Sequence, residues 1–118
     1  MPEVTKLFPV FAVRDLQEAI DYYCRSLGFA LGWTWGLPPT RAGVSLNEIE
    51  IQLDAADMGA PPGPSVVYCH MTGVDEYYIA CRERGANIAM ELEGRPWGMK
   101  DFRTVDPSGN RVGFGEVL

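Results

Sequence analysis

The chain has 118 residues, enough for one compact domain, since domains commonly run to about 100–200 residues. Apolar residues make up 47% and charged residues 22%, which excludes a disordered chain, a collagen-like fibre and a small disulfide scaffold. Ten Lys and Arg against sixteen Asp and Glu leave a net charge of −6, with acid in excess in both halves. Such a chain repels phosphate backbones, so no nucleic acid partner is expected, whereas a cationic or neutral small molecule suits it.

No apolar run approaches the roughly 20 residues that span a bilayer, so no membrane partner is expected. The opening Met1-Pro2-Glu3-Val4-Thr5-Lys6 lacks the basic head and apolar stretch of a secretory leader. Cys24, Cys69 and Cys81 are odd in number and show no CxxC spacing, which predicts reduced thiols and a cytoplasmic location.

Leu7 to Val13 is short and rich in β-formers, and Pro9 within it cannot donate to a ladder, so it predicts an edge strand. Asp15-Leu16-Gln17-Glu18 predicts a helix N-cap with an acid three residues on. Leu16, Ala19, Ile20, Tyr23 and Leu27 then recur at helical spacing, and Gly28 marks the stop. Strands are expected at Phe29–Gly36, Arg41–Asn47 and Glu48–Leu53. A Pro- and Gly-rich linker follows at 55–64. The pattern restarts with a strand at Val66–Thr72 and a helical stripe of Val74, Tyr77, Tyr78 and Cys81, capped by Asp75 and stopped at Gly85. Strands at Ala89–Leu92, Asp101–Val105 and Asn110–Glu116 complete it, with a tight turn at Asp106-Pro107-Ser108-Gly109-Asn110.

The order strand, helix, strand, strand, strand therefore occurs twice, over about 5–54 and about 65–117. A repeated unit of this size cannot bury its sheet face alone. The expected fold is α+β: one domain, 1–118, in which two βαβββ modules form curved mixed sheets around a cleft that suits a ligand. Strand parity places Glu48, Glu50 and Gln52 on the cleft face, with Val66, Tyr68, His70 and Thr72, and with Asp101, Arg103 and Gly113. Phe102, Val112 and Phe114 face the core. Glu116 shares their parity, but its terminal position reads as a surface charge. Trp33 and Trp35 share one face, and Trp97 lies between Pro96 and Gly98. Each tryptophan is either core or a platform for a flat heteroaromatic ligand, to which Glu48, Glu50 and Asp101 would add an anionic field.

Two stretches carry a family resemblance: Pro9-Val10-Phe11-Ala12-Val13-Arg14-Asp15 through Tyr22-Tyr23 to Leu27-Gly28-Phe29, and Arg95-Pro96-Trp97-Gly98-Met99, Phe102, Asp106-Pro107-Ser108-Gly109-Asn110. With the doubled layout, the chain resembles the vicinal oxygen chelate superfamily of glyoxalases, extradiol dioxygenases, fosfomycin-modifying enzymes and bleomycin resistance proteins, and within it the bleomycin resistance branch. The resemblance implies a homodimer that sequesters a cationic or heteroaromatic compound between subunits without changing a bond, as an antibiotic resistance protein does. It also implies four metal-ligand slots, which fall on Phe8, Gln52, His70 and Gly113. Phe8 and Gly113 offer no ligating side chain, and two neutral ligands make a poor site for a divalent ion. No metal, cofactor or catalytic residue is therefore expected. The expected ligand-binding set is Phe8, Trp33, Trp35, Glu50, Gln52, Tyr68, His70, Trp97, Asp101, Arg103 and Gly113. The alternative left open is a metal-dependent glyoxalase-like lyase or dioxygenase with a shifted site on His70, Gln52 and a carboxylate such as Glu50.

Overall fold

The computed structural model describes residues 1–56 and 61–118. The first module runs β1 (Val10–Val13), α1 (Leu16–Asp21), a π-helical turn (Tyr22–Ser26), β2 (Ala30–Gly36), β3 (Pro39–Leu46) and β4 (Ile49–Ala55). The second runs β5 (Val66–His70), α2 (Val74–Glu83), β6 (Ile88–Gly94), β7 (Met99–Val105) and β8 (Arg111–Val117). The strands form two four-stranded sheets of matching order, β1-β4-β3-β2 and β5-β8-β7-β6. In each, the first strand pairs in parallel with the fourth and the remaining pairs are antiparallel. The α+β class and the pair of similar mixed-sheet modules match the sequence reading. Of the expected 55–64 linker, Ala55 closes β4, and residues 57–60 lie outside the described residues.

Several boundaries moved, each for a local reason. β1 begins at Val10, not Leu7, because Pro9 offers only its carbonyl, which accepts from Gln52 N at 2.9 Å. Asp15 caps α1 as expected, its Oδ1 accepting from Glu18 N at 2.9 Å. Gly73, not Asp75, precedes α2, at a φ of 76° that favours glycine, so no side chain of that residue can cap the helix. The cap comes instead from β8, where Glu116 Oε1 accepts from Val74 N at 3.0 Å. Glu116 is thus a helix cap and not a surface charge, as its core-side parity already hinted.

Helices cover one face of each sheet and the buried side chains merge into one cluster. Phe11, Val44, Ile51 and Leu53 come from the first sheet, Phe102, Val112 and Phe114 from the second, and Tyr23, Leu27, Val74 and Cys81 from the helical segments between. Full burial of such side chains contributes about 1.5–3 kcal/mol each.

The modules are also tied by polar contacts. Tyr77 Oη donates to Leu27 O at 2.5 Å. The Asp106–Asn110 turn forms as expected, with Gly109 at φ 91°, but its ends are buried. Asp106 accepts from Ser108 N (2.8 Å), Asn110 N (2.9 Å) and Tyr23 Oη (2.9 Å). Asn110 Nδ2 donates to Asp106 Oδ2 and Ala12 O, and its Oδ1 accepts from Ser65 N at 3.0 Å. One turn therefore latches β1 and the π-helical turn onto the second module.

Candidate functional site

A cleft of about 910 Å³, within the usual range of small-molecule sites, is lined by residues from both faces of β4 and β5. Lys6 to Pro9, the β3–β4 hairpin and β5 line it. Of the expected ligand-binding residues, Phe8, Glu50, Tyr68 and His70 line this cleft together. Ile51 and Leu53 are buried under α1, so Glu50 and Gln52 face the other way, yet parity alone does not select the lining, because Ile51, Val67 and Cys69 line the cleft as well and Gln52 does not. His70 stands edge-on to the Tyr68 ring with centroids 5.7 Å apart. Gln52, Trp33, Trp35, Trp97, Asp101, Arg103 and Gly113 do not line it. Trp35 and Trp97 are each 63% exposed, Trp97 in the Arg95–Gly98 turn, so neither is a core residue nor a wall of the cleft.

On the first sheet the polar groups bind one another. Arg41 Nε donates to Asp54 Oδ1 at 2.7 Å and its NH2 group to Gln52 Oε1 at 3.2 Å. Gln52 Nε2 in turn donates to Glu50 Oε2 at 3.0 Å. The Arg41 guanidinium lies 6.0 Å from the Trp33 ring centroid. Trp33 folds over Gly43, where any Cβ would collide with the indole nitrogen. Gln52 is therefore a spacer between an arginine and a glutamate, and Trp33 packs onto its own sheet outside the cleft lining.

The second sheet repeats the device with different residues. Tyr68 lies across Gly113 and Gly115: a Cβ at Gly113 would sit 2.9 Å from the tyrosine ring, and one at Gly115 would strike its hydroxyl. The hydroxyl donates to Asp101 Oδ2 at 2.7 Å. Asp101 Oδ1 accepts from Arg95 Nε at 2.7 Å. Arg95 is held further by Glu93 Oε2 (2.9 Å) and the Glu91 carbonyl (2.9 Å).

Asp101 is only 1% exposed and is bonded to Tyr68 and Arg95, so it adds no open field to the cleft, contrary to the sequence expectation. Burial alone would raise its pKa, but the hydrogen bonds from Arg95 and Tyr68 outweigh that and hold it below the usual carboxylate range. The Tyr68 phenol is pushed up to about 12 by desolvation and by its bond to Asp101, so it stays protonated and donating. Sequence reasoning missed Arg95 because its partners are set by β6–β7 pairing. A run of Glu91, Glu93 and Arg95 on alternate positions was the available signal.

The four family metal slots do not fit a divalent cation. Phe8 has no donor atom, Gly113 lies under the Tyr68 ring, and the Gln52 oxygen already faces a guanidinium. Among the described residues no three of His, Cys, Asp and Glu gather into a possible metal site. Cys69 packs against the core, and burial raises its thiol pKa, the opposite of what an activated nucleophile requires. Among the described residues no helix is long and apolar enough to cross a membrane.

A model of the Glyoxalase/Bleomycin resistance protein/Dioxygenase superfamily matches residues 7–114. Among curated proteins none matches the sequence. Solved structures superpose over nearly the whole chain. TioX from Micromonospora sp. ML1 is 21% identical with a TM-score of 0.84, covering 98% of this chain and 100% of its own. TnmS3, an antibiotic binding protein from Streptomyces sp. CB03234, is 24% identical with a TM-score of 0.80, covering 100% and 99%. Lactoylglutathione lyase from Agrobacterium tumefaciens is 17% identical with a TM-score of 0.78, covering 98% and 96%. At these identities the likeness is one of fold, shared by binding proteins and enzymes alike.

Proposed function

From the fact that the chain belongs to the Glyoxalase/Bleomycin resistance protein/Dioxygenase superfamily, we propose that it is a small-molecule binding protein of the bleomycin resistance type. It sequesters a cationic or heteroaromatic compound without metal and without altering a bond. One observation carries this reading: the slots that would ligate a metal hold Phe8, an arginine-bound Gln52 and a tyrosine-covered Gly113, beside a cleft walled by Phe8, Tyr68, Glu50 and His70. Aromatic rings supply stacking area, and Glu48 and Glu50 supply a field for a cation.

The chain, 1–118, acts as one domain in the cytoplasm, and two copies pair through the helix-free faces. Support for pairing lies in the shape. The molecule measures 44 × 44 × 23 Å with a radius of gyration of 14.7 Å, against about 13.5 Å expected for a compact chain of this length. Val10, Trp35, Val66 and Tyr68 are left exposed on these faces.

Titration of tryptophan fluorescence with bleomycin and with cationic heteroaromatic dyes tests the binding. The expected result is saturable quenching, with the compound recovered unchanged by mass spectrometry. Purified protein carrying one tightly held transition metal per subunit would overturn the reading. The second reading, a metal-dependent lyase or dioxygenase, draws on Glu50 and His70 sharing one cleft. It requires EDTA-sensitive turnover of a glutathione adduct or a catechol that His70→Ala abolishes.

A further inference from the structure

Among the described residues, Arg41, Arg95 and Arg103 are the partly buried arginines, and the first two are each bound to carboxylates. Arg103 has no ion pair, and its Nε is buried without any hydrogen-bond partner. The register explains why. On β7 it faces Gly113 of β8 on one side and Met90 of β6 on the other, neither of which can accept a proton or balance a charge. The nearest acid along its own strand, Asp101, is stabilised by the Arg103 charge but has one oxygen bonded to Arg95 and the other to Tyr68, so it gives Arg103 no hydrogen bond. Arg111 shares this face of β8 with Gly113, is exposed and makes no ion pair. The glycine leaves Arg103 beside the Tyr68 ring: a Cβ on Gly113 would sit 3.5 Å from Arg103 Cγ and 2.9 Å from Tyr68 Cδ2.

A guanidinium held this way is a site waiting for an acceptor. The Nε is enclosed and out of a ligand's reach, whereas the two terminal nitrogens make no hydrogen bond among the described residues and are the donors that an acceptor would meet. The fork of N–H groups matches a planar carboxylate in bidentate fashion, and an adjacent aromatic face suits a flat ring attached to it. The net charge of −6 does not oppose this at contact distance, because exposed charges beyond about 8 Å are largely screened at physiological salt.

Resting on the binding reading above, we infer that the ligand is an aromatic compound bearing a carboxylate, its ring against Tyr68 at the wall of the cleft and its carboxylate reaching past that wall to Arg103, which does not itself line the cleft. Any cationic part of the ligand lies toward Glu48 and Glu50 on the other sheet.

The test compares 2-naphthoate with its uncharged isostere 2-naphthamide by isothermal titration calorimetry, at low salt, up to millimolar concentration. The expected result is an affinity at least tenfold higher for the acid. That preference falls to within twofold in Arg103→Met, recovers in part in Arg103→Lys, and shrinks as salt is raised. Thermal melts of each variant confirm that it is folded. If Arg103→Met fails to fold, the preference and its salt dependence in the unaltered protein decide the matter. Saturable binding of both probes with no preference overturns the Arg103 assignment and leaves the binding reading standing. No binding of either probe overturns the Arg103 assignment, and only a further absence of quenching by bleomycin and the cationic dyes overturns the binding reading with it.

Discussion

Removing the Tyr23 hydroxyl probes the latch that joins the modules. Tyr23 is fully buried, and its phenol donates at 2.9 Å to Asp106, itself 4% exposed. A buried hydrogen bond to a charged acceptor is worth about 1.5–3 kcal/mol. Tyr23→Phe leaves Asp106 with its three donors from Ser108 and Asn110 and opens no cavity, so the loss should be near the middle of that range, about 2 kcal/mol. An unfolding entropy of about 2.1 cal/mol/K per residue converts this to a fall in melting temperature of about 8 °C for a chain of this size. Asp106→Asn should cost more, because its amide NH2 would face the Tyr23 and Asn110 donors. The double variant should lose less than the sum of the two. Differential scanning calorimetry on the four proteins gives the cycle. A Tyr23→Phe melting point within 2 °C of the parent, or strict additivity, would refute the latch.

Three further outcomes follow from the same geometry. Gly115→Ala should drive the Tyr68 ring off Asp101, destabilise the fold by about 1–3 kcal/mol and weaken ligand binding, as read by chemical denaturation and fluorescence titration. Arg95→Lys should cost about 1–3 kcal/mol by urea denaturation, because a lysine keeps the charge beside Asp101 but cannot hold Asp101, Glu93 and the Glu91 carbonyl at once. At alkaline pH, burial holds the Tyr22 phenol up to about 12 in the folded state, against about 10 in the unfolded chain. The unfolded chain loses its proton first, so stability should be intact below pH 10 and fall between about pH 10 and 12. Tyr22→Phe should flatten that slope, and an unchanged pH dependence would count against it.

The doubled βαβββ order, the α1 cap at Asp15, the glycine stops at 28 and 85 and the two faces of β4, β5, β7 and β8 were all legible in the sequence. They depend on local spacing: hydrophobic periods, capping residues and residues that tolerate a positive φ. Alternation put Glu50 on one face of β4 and Tyr68 with His70 on one face of β5, but those strands belong to different sheets and Phe8 precedes β1, so their meeting at one cleft is a product of tertiary structure.

Tertiary packing decided which of those polar side chains remain available. Asp101 and Gln52 face the side that parity gives them, yet each is engaged by an arginine from elsewhere on its sheet, and Arg103 is left without a hydrogen-bonded acid. Glu116 and Asp106 likewise gained partners 42 and 83 residues away. A side chain's direction follows from the two bonds of its own backbone, and sequence carries it. Its partner depends on strand register and on how the modules meet, and only the folded chain specifies that.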